Sequence, residues 1–248
     1  MNDKLGSVCL VGAGPGDPGL MTLKGAQRLS KAEVVVYDRL VGPEILDMIP
    51  ENAERIDVGK TAGSHPVPQQ EIGSILVRKA KEGRFVVRLK GGDSFVFGRG
   101  GEEIGILAEN GVPFEVVPGI TSAIAGPACA GIPVTHRDHC ASFHVIAGHR
   151  RENGDICVDY EALARAGGTL VFLMAVENAP RIAAGLITAG MGPDMPCAMI
   201  ENATLPNQRR LISTLERIET DMIEAHIAPP ALFVVGTVCT IPEKLTGR

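Results

Sequence analysis

Arg88-Leu89-Lys90-Gly91-Gly92-Asp93-Ser94-Phe95-Val96-Phe97-Gly98-Arg99-Gly100-Gly101-Glu102-Glu103 carries five glycines in sixteen residues, directly after an apolar run. Phe85-Val86-Val87-Arg88-Leu89 suits a buried strand. Gly91-Gly92 then lets the backbone approach a partner with no Cβ in the way. Asp93 offers acceptor oxygens and a negative charge at that turn, and Arg99 a planar donor fork a few residues on. The stretch reads as a ligand-binding loop, although taken alone it reads equally as a Gly-rich turn with solvated charges.

The rest of the chain sets the frame. Its 248 residues fit one large or two small domains, and 45% hydrophobic with 21% charged residues is a globular composition. No long uncharged apolar run and no signal-peptide pattern is present, so a cytoplasmic protein without a membrane span is expected. A net charge of -5, no Trp and two Tyr argue against a nucleic-acid surface while leaving room for a local basic pocket. The six cysteines show no C-x-x-C spacing and read as reduced core residues. His136, His139, His144 and His149 crowd one segment, but 142–147 patterns as a strand and no thiolate or carboxylate pair completes a ligand set. No metal site is expected.

Val8-Cys9-Leu10-Val11, Val34-Val35-Val36-Tyr37, Phe85 to Leu89 and Phe114-Glu115-Val116-Val117 are short β-branched runs separated by helical patterns, which predicts an α/β fold with a largely parallel sheet. Thr22 is placed to cap a helix with Leu23, Ala26 and Leu29 on one face, and 69–81 predicts a second helix bracketed by Ile72, Ile75, Leu76 and Lys79. Gly, Pro and charge over 131–138 break the pattern, so two α/β domains are expected, residues 1–135 and 136–248. The second would have strands at 142–147, 169–174, 196–200 and 231–235, and helices near 159–166, 179–189 and 212–226.

Gly12-Ala13-Gly14-Pro15-Gly16-Asp17-Pro18-Gly19 follows the first strand, and Asp38 ends the second. This imitates a dinucleotide fingerprint but fails it physically. Asp17 stands where a third glycine would allow close helix packing beside a pyrophosphate, and Pro15 and Pro18 delay the helix start. An NAD-linked oxidoreductase is therefore disfavoured.

That loop, Tyr37-Asp38-Arg39-Leu40, Val58-Gly59-Lys60, the loop from Gly91 to Glu103, Val117-Pro118-Gly119-Ile120-Thr121-Ser122-Ala123, Pro133-Val134-Thr135-His136-Arg137, the segment Glu201 to Arg209 and Pro230 to Gly236 together closely resemble the tetrapyrrole methylases. The resemblance runs over nearly the whole chain. It implies two α/β domains unrelated to Rossmann-type methyltransferases, an inter-domain cleft for S-adenosylmethionine, and a homodimer. It implies cofactor contacts at Pro15, Gly91, Gly92, Asp93, Val96, Thr121, Ser122, Met174, Ala203 and Ala231, with S-adenosylhomocysteine as product. By the same resemblance Asp38 and Lys60 occupy proton-acceptor and proton-donor positions. Ala203 departs from a common glycine, which could narrow the adenosine pocket.

The implied activity is C-methylation of uroporphyrinogen III at C-2 and C-7 to precorrin-2, which feeds sirohaem and cobalamin synthesis. The alternatives are a methylase of a later corrin precursor and a non-catalytic tetrapyrrole-binding protein. Such a substrate is rich in carboxylates, and Arg39, Arg99 and Arg137, with His136 and Arg150 beside them, are the cations the motif segments supply. Methylation of a pyrrole carbon leaves a cationic adduct that must lose a proton. Asp38, at a strand's carboxyl end, is suited to take it.

Overall fold

The computed structural model describes residues 5–59, 67–148 and 158–242. The chain divides into two compact units, Met1–Thr121 and Ser122–Arg248. The division lies earlier than the 135/136 boundary expected from the sequence. The helix Ser122–Cys129 explains the shift, since its buried Ala123 packs in the apolar cluster of the second unit with Val171, Leu232 and Val234.

The first unit is a five-stranded, wholly parallel sheet with strands β1 (Ser7–Gly12), β2 (Val34–Tyr37), β3 (Glu54–Asp57), β4 (Phe85–Lys90) and β5 (Phe114–Val117), ordered β3-β2-β4-β1-β5. Alternation along the strands sorts their side chains to two faces. Cys9, Val11, Val35, Val87 and Leu89 face one apolar layer with Leu29 of α1 (Leu23–Leu29) and Ile45 of α2 (Pro43–Leu46). Val8, Leu10, Val34, Val36 and Val86 face another with Leu76 of α3 (Gln69–Lys81) and Leu107 of α4 (Gly100–Glu109).

Thr22 caps α1 as expected, its Oγ1 accepting from Gly25 N at 3.1 Å. Leu23, however, is 84% exposed, and α1 buries Gly25 and Leu29 instead. The 69–81 helix has the predicted bounds. β3 has no counterpart in the sequence reading, because Glu54-Arg55-Ile56-Asp57 is a charged edge strand that pairs only with β2.

The second unit opens with α5 (Ser122–Cys129) and holds a mixed sheet of β6 (Phe143–Ala147), β7 (Thr169–Leu173), β8 (Pro196–Glu201), β9 (Arg209–Thr214) and β10 (Ala231–Val235), ordered β6-β7-β10-β8-β9. Only the β6–β7 pair is parallel. Helices α6 (Tyr160–Ala166) and α7 (Ala179–Thr188) lie where the sequence puts them, and Asp159 caps α6 through Ala162 N at 2.8 Å. The helix expected over 212–226 is a correction. Ile212, Leu215, Ile218 and Met222 have helical spacing, but Arg209–Thr214 pairs antiparallel with β8, and only α8 (Ile218–Glu224) is helical. Strand pairing overrides local periodicity there.

No helix among the described residues is long and apolar enough to cross a membrane. Cys9, Cys197 and Cys239 are buried as expected, while Cys129 is exposed and Cys157 lies outside the described residues. Burial pushes the Cys9 and Cys239 thiols up to about 12, so neither supplies a thiolate near neutral pH.

Candidate active site

In a parallel sheet the carboxyl ends of the strands carry the ligand loops. In the first unit the four adjacent strands β2, β4, β1 and β5 send 38–42, 91–99, 13–17 and 118–121 from that edge. Glycines let these loops touch backbone to backbone. A Cβ on Gly12 would stand 2.5 Å from Gly119 N, and one on Gly119 would stand 2.2 Å from Gly92 O. Gly14 and Gly92 exchange hydrogen bonds at 3.1 and 2.7 Å, tying the loop after β1 to the loop after β4.

Asp93 completes this stitching. Its Oδ1 accepts from Phe95 N at 2.8 Å and Val96 N at 3.2 Å, and its Oδ2 accepts from Gly119 N at 3.0 Å. The carboxylate that the sequence offers to a ligand is thus committed first to its own loops. Ser94 behind it is buried, while Phe95 and Phe97 are exposed. Arg99, with φ +57°, grips Glu102 through Nε–Oε1 at 2.8 Å and Nη2–Oε2 at 2.7 Å, and this fork holds the Glu102 carboxyl below its usual range. Asp17 accepts from Gly19 N at 2.7 Å and caps a short 3-10 turn, Pro18–Leu20, so no α-helix starts where a pyrophosphate would need one.

Asp38 stands at the end of β2. Its Oδ1 accepts from Leu40 N at 3.1 Å, capping the following turn, and its Oδ2 accepts from Arg88 Nη2 at 3.3 Å. Arg88 belongs to a buried charge cluster absent from the sequence reading. Arg88 is 3% exposed, Lys90 4% and Glu103 0%. Glu103 Oε1 accepts from Arg88 Nε and Lys90 Nζ, each at 3.1 Å, and from Gln69 Nε2 at 2.8 Å, while Oε2 has no hydrogen-bond partner among the described residues. Burial, reinforced by the Arg88 charge and opposed by Glu103, lowers the Lys90 pKa. The available signal was a pair of cations two residues apart in an apolar strand, which must share one face.

Of the expected substrate cations, Arg39 and Arg99 are exposed on loops after the neighbouring strands β2 and β4, and Arg137 is exposed in the second unit. Lys60, His149 and Arg150 lie outside the described residues. Among the described residues no group of three or more His, Cys, Asp or Glu side chains is arranged to hold a metal. His136 and His139 make an edge-on ring contact at 5.1 Å.

In the second unit, Phe172 pairs with Phe233 and Ala231 with Glu201, both in antiparallel register, so the end of β7, the start of β10 and the end of β8 lie at one edge of the sheet. Met174, Ala231 and Ala203 therefore gather at that edge. Met174 is 49% exposed with φ +57°, and Ala203 sits in a tight loop where Asn202 and Thr204 also have positive φ. Glu201 anchors this loop by accepting from Arg209 and from Ala228 N, and the Arg209 hydrogen bond lowers its pKa. A separate cavity of ≈ 500 Å³ between α3 and α4 is lined by Ser74, Arg78, Lys81 and Asn110 among others, and none of the expected site residues lines it.

Residues 7–219 match the family model of the Tetrapyrrole (Corrin/Porphyrin) Methylases. A porphyrin biosynthesis protein HemD of Ruminiclostridium josui is 55% identical over 97% of this chain and 48% of its own length. An S-adenosyl-L-methionine-dependent uroporphyrinogen III methyltransferase of Methanosarcina barkeri is 52% identical over 99% of this chain and 96% of its own. The crystal structure of the Thermus thermophilus uroporphyrin-III C-methyltransferase complexed with S-adenosylhomocysteine superposes with a TM-score of 0.80 at 43% identity, covering 94% of this chain and 93% of that one. The chain spans about half the length of several of the curated relatives it matches. It belongs to the tetrapyrrole methylase family.

Proposed function

We propose that this protein transfers methyl groups from S-adenosylmethionine to C-2 and C-7 of uroporphyrinogen III, giving precorrin-2. The observation that carries this reading is the 52% identity, over nearly the full length of both chains, to the Methanosarcina barkeri methyltransferase of that substrate.

The chemistry of the residues present fits the cofactor. Gly91 and Gly92 present no side chain to a ligand, Thr121 and Ser122 carry hydroxyls at the start of α5, and Met174, Ala203 and Ala231 offer apolar or small surfaces at one sheet edge. With Pro15, Asp93 and Val96 these are the proposed cofactor contacts, Asp93 acting through the loops it ties together. The bound cofactor supplies the electrophilic methyl group. Asp38 accepts the proton that the methylated pyrrole sheds, and Lys60 is the proposed proton donor. Arg39, Arg99 and Arg137 take substrate carboxylates, Arg99 by exchanging Glu102 for a substrate carboxylate. We also propose that the protein works as a homodimer, without nucleic acid, membrane or metal.

The test is anaerobic incubation with uroporphyrinogen III and methyl-labelled S-adenosylmethionine, followed by a count of labels on the macrocycle. Two labels at C-2 and C-7 are expected. No incorporation, with labelling of a later corrin precursor instead, would reassign the substrate within the family. Tetrapyrrole binding with no labelling of either would leave a binding protein.

A further inference from the structure

We propose that Arg88 is a positioning residue for Asp38, and that Glu103 and Lys90 form the anchor that holds Arg88 in place. This rests on the reading of Asp38 as the proton acceptor.

The argument begins with what is buried. Two cations and one anion are buried beside an apolar sheet-and-helix layer, with Gln69 as a further polar partner, a costly arrangement of a kind that well-packed hydrophobic residues often replace without loss of stability. The cluster balances its charges only when Asp38 is counted, giving Arg88 and Lys90 against Glu103 and Asp38. Of these four side chains Asp38 alone is appreciably exposed, 25% against 5% or less for the others. Asp38 is where this buried network reaches a reactant.

The guanidinium is held at every nitrogen. Nε donates to Glu103 Oε1, Nη1 donates to the carbonyls of Leu89 at 3.0 Å and Val36 at 3.4 Å, and Nη2 donates to Asp38 Oδ2 at 3.3 Å. A guanidinium fixed on three sides cannot follow a moving carboxylate, so it sets where Oδ2 sits. The Leu40 amide sets Oδ1. With both oxygens located, the carboxylate plane is fixed before substrate arrives, which a base that must meet one ring proton requires. Glu103 has a further duty, since without it Arg88 and Lys90 would face each other as like charges. Lysine at position 88 would keep the charge and lose the fork.

Turnover, KM for both substrates and calorimetric S-adenosylhomocysteine affinity would be measured on the full chain and on Arg88→Gln, Arg88→Lys, Asp38→Asn and both double variants. Either single Arg88 variant is expected to lose about tenfold or more in kcat, with KM and S-adenosylhomocysteine affinity within about twofold of wild type. In the Asp38→Asn background the same replacements are expected to change kcat by no more than about twofold, because Arg88 acts only through Asp38. Equal losses in both backgrounds, or losses in KM and cofactor affinity instead of kcat, would overturn the positioning role and leave the Asp38 reading intact. If Arg88→Gln does not fold, Arg88→Lys carries the comparison. Wild-type turnover by Asp38→Asn would overturn the reading of Asp38 itself, and the positioning role with it.

Discussion

Asp93 Oδ2 accepts a hydrogen bond from Gly119 N at 3.0 Å, joining the loop after β4 to the loop after β5 across the intervening strand β1. One carboxylate thereby fixes the spacing of two loops proposed to face the cofactor. A charged acceptor bonded to three main-chain amides stabilises more than a neutral one.

Asp93→Ala is expected to lower the melting temperature and to weaken S-adenosylhomocysteine binding together, with each lost charge-assisted bond costing about 1.5–3 kcal/mol. Asp93→Asn keeps one acceptor oxygen and should recover part of both losses. Calorimetry and thermal unfolding of the two variants check this. An affinity loss with unchanged stability would mean that the carboxylate acts directly on the ligand.

Gly119→Ala tests the close approach of the loops. Its Cβ would meet Gly92 O at 2.2 Å and the Gly12 backbone at 2.6 to 2.7 Å, neither of which can move as a side-chain tip does. A loss of at least the about 1–3 kcal/mol typical of overpacking is expected in denaturant unfolding, with cofactor affinity falling in parallel. Gly101→Ala, where nothing lies within 4 Å, is the control and should be near neutral.

The acid side of the stability profile should report Glu115. Arg28 and Lys24, at 2.6 and 2.5 Å, hold its carboxyl down to about 2. A depressed carboxylate contributes stability that is complete above its ordinary pKa and is lost as pH falls through the folded value. The Glu115 contribution should therefore fade between about pH 4.5 and about pH 2. Glu115→Gln should flatten the melting-temperature profile in that window and leave the profile above pH 6 parallel to wild type.

S-adenosylhomocysteine is expected to bind and NADH and NADPH are not. The amide of Gly19, in the loop where a dinucleotide fold binds its pyrophosphate, is taken by Asp17, and the turn that Asp17 caps is not an α-helix. Isothermal calorimetry decides between them. Saturable micromolar NADH binding without heat from S-adenosylhomocysteine would contradict the proposed activity.

Arg99→Ala and Arg137→Ala are expected to raise the apparent KM for the tetrapyrrole by roughly tenfold or more while cofactor affinity holds. Under the proposal that Arg99 exchanges Glu102 for a substrate carboxylate, Glu102→Gln should lower KM by freeing the fork. Loss of cofactor affinity in both arginine variants would show that the cations serve the wrong ligand in this scheme.

The sequence by itself determined four of the five parallel strands of the first unit, strands β6, β7, β8 and β10 with helices α6 and α7 of the second, the helix 69–81, the Thr22 cap and the glycine loops at strand ends. These are local patterns: β-branched runs, periodicity and residues that tolerate unusual backbone. Motif order alone was enough to point to the family. Tertiary structure decided the rest. β3 and β9 are edge strands whose charged or helix-spaced residues become strands only by pairing with β2 and β8. α5 joined the second unit because its apolar face is buried there. Asp93 read as a ligand acceptor because a sequence does not reveal which amides lie opposite a carboxylate. Arg88 read as a plain strand residue and Lys90 as the start of the loop after it, because Asp38 is 50 positions from Arg88, and the fold alone brings that pair to 3.3 Å and buries Glu103 beneath it.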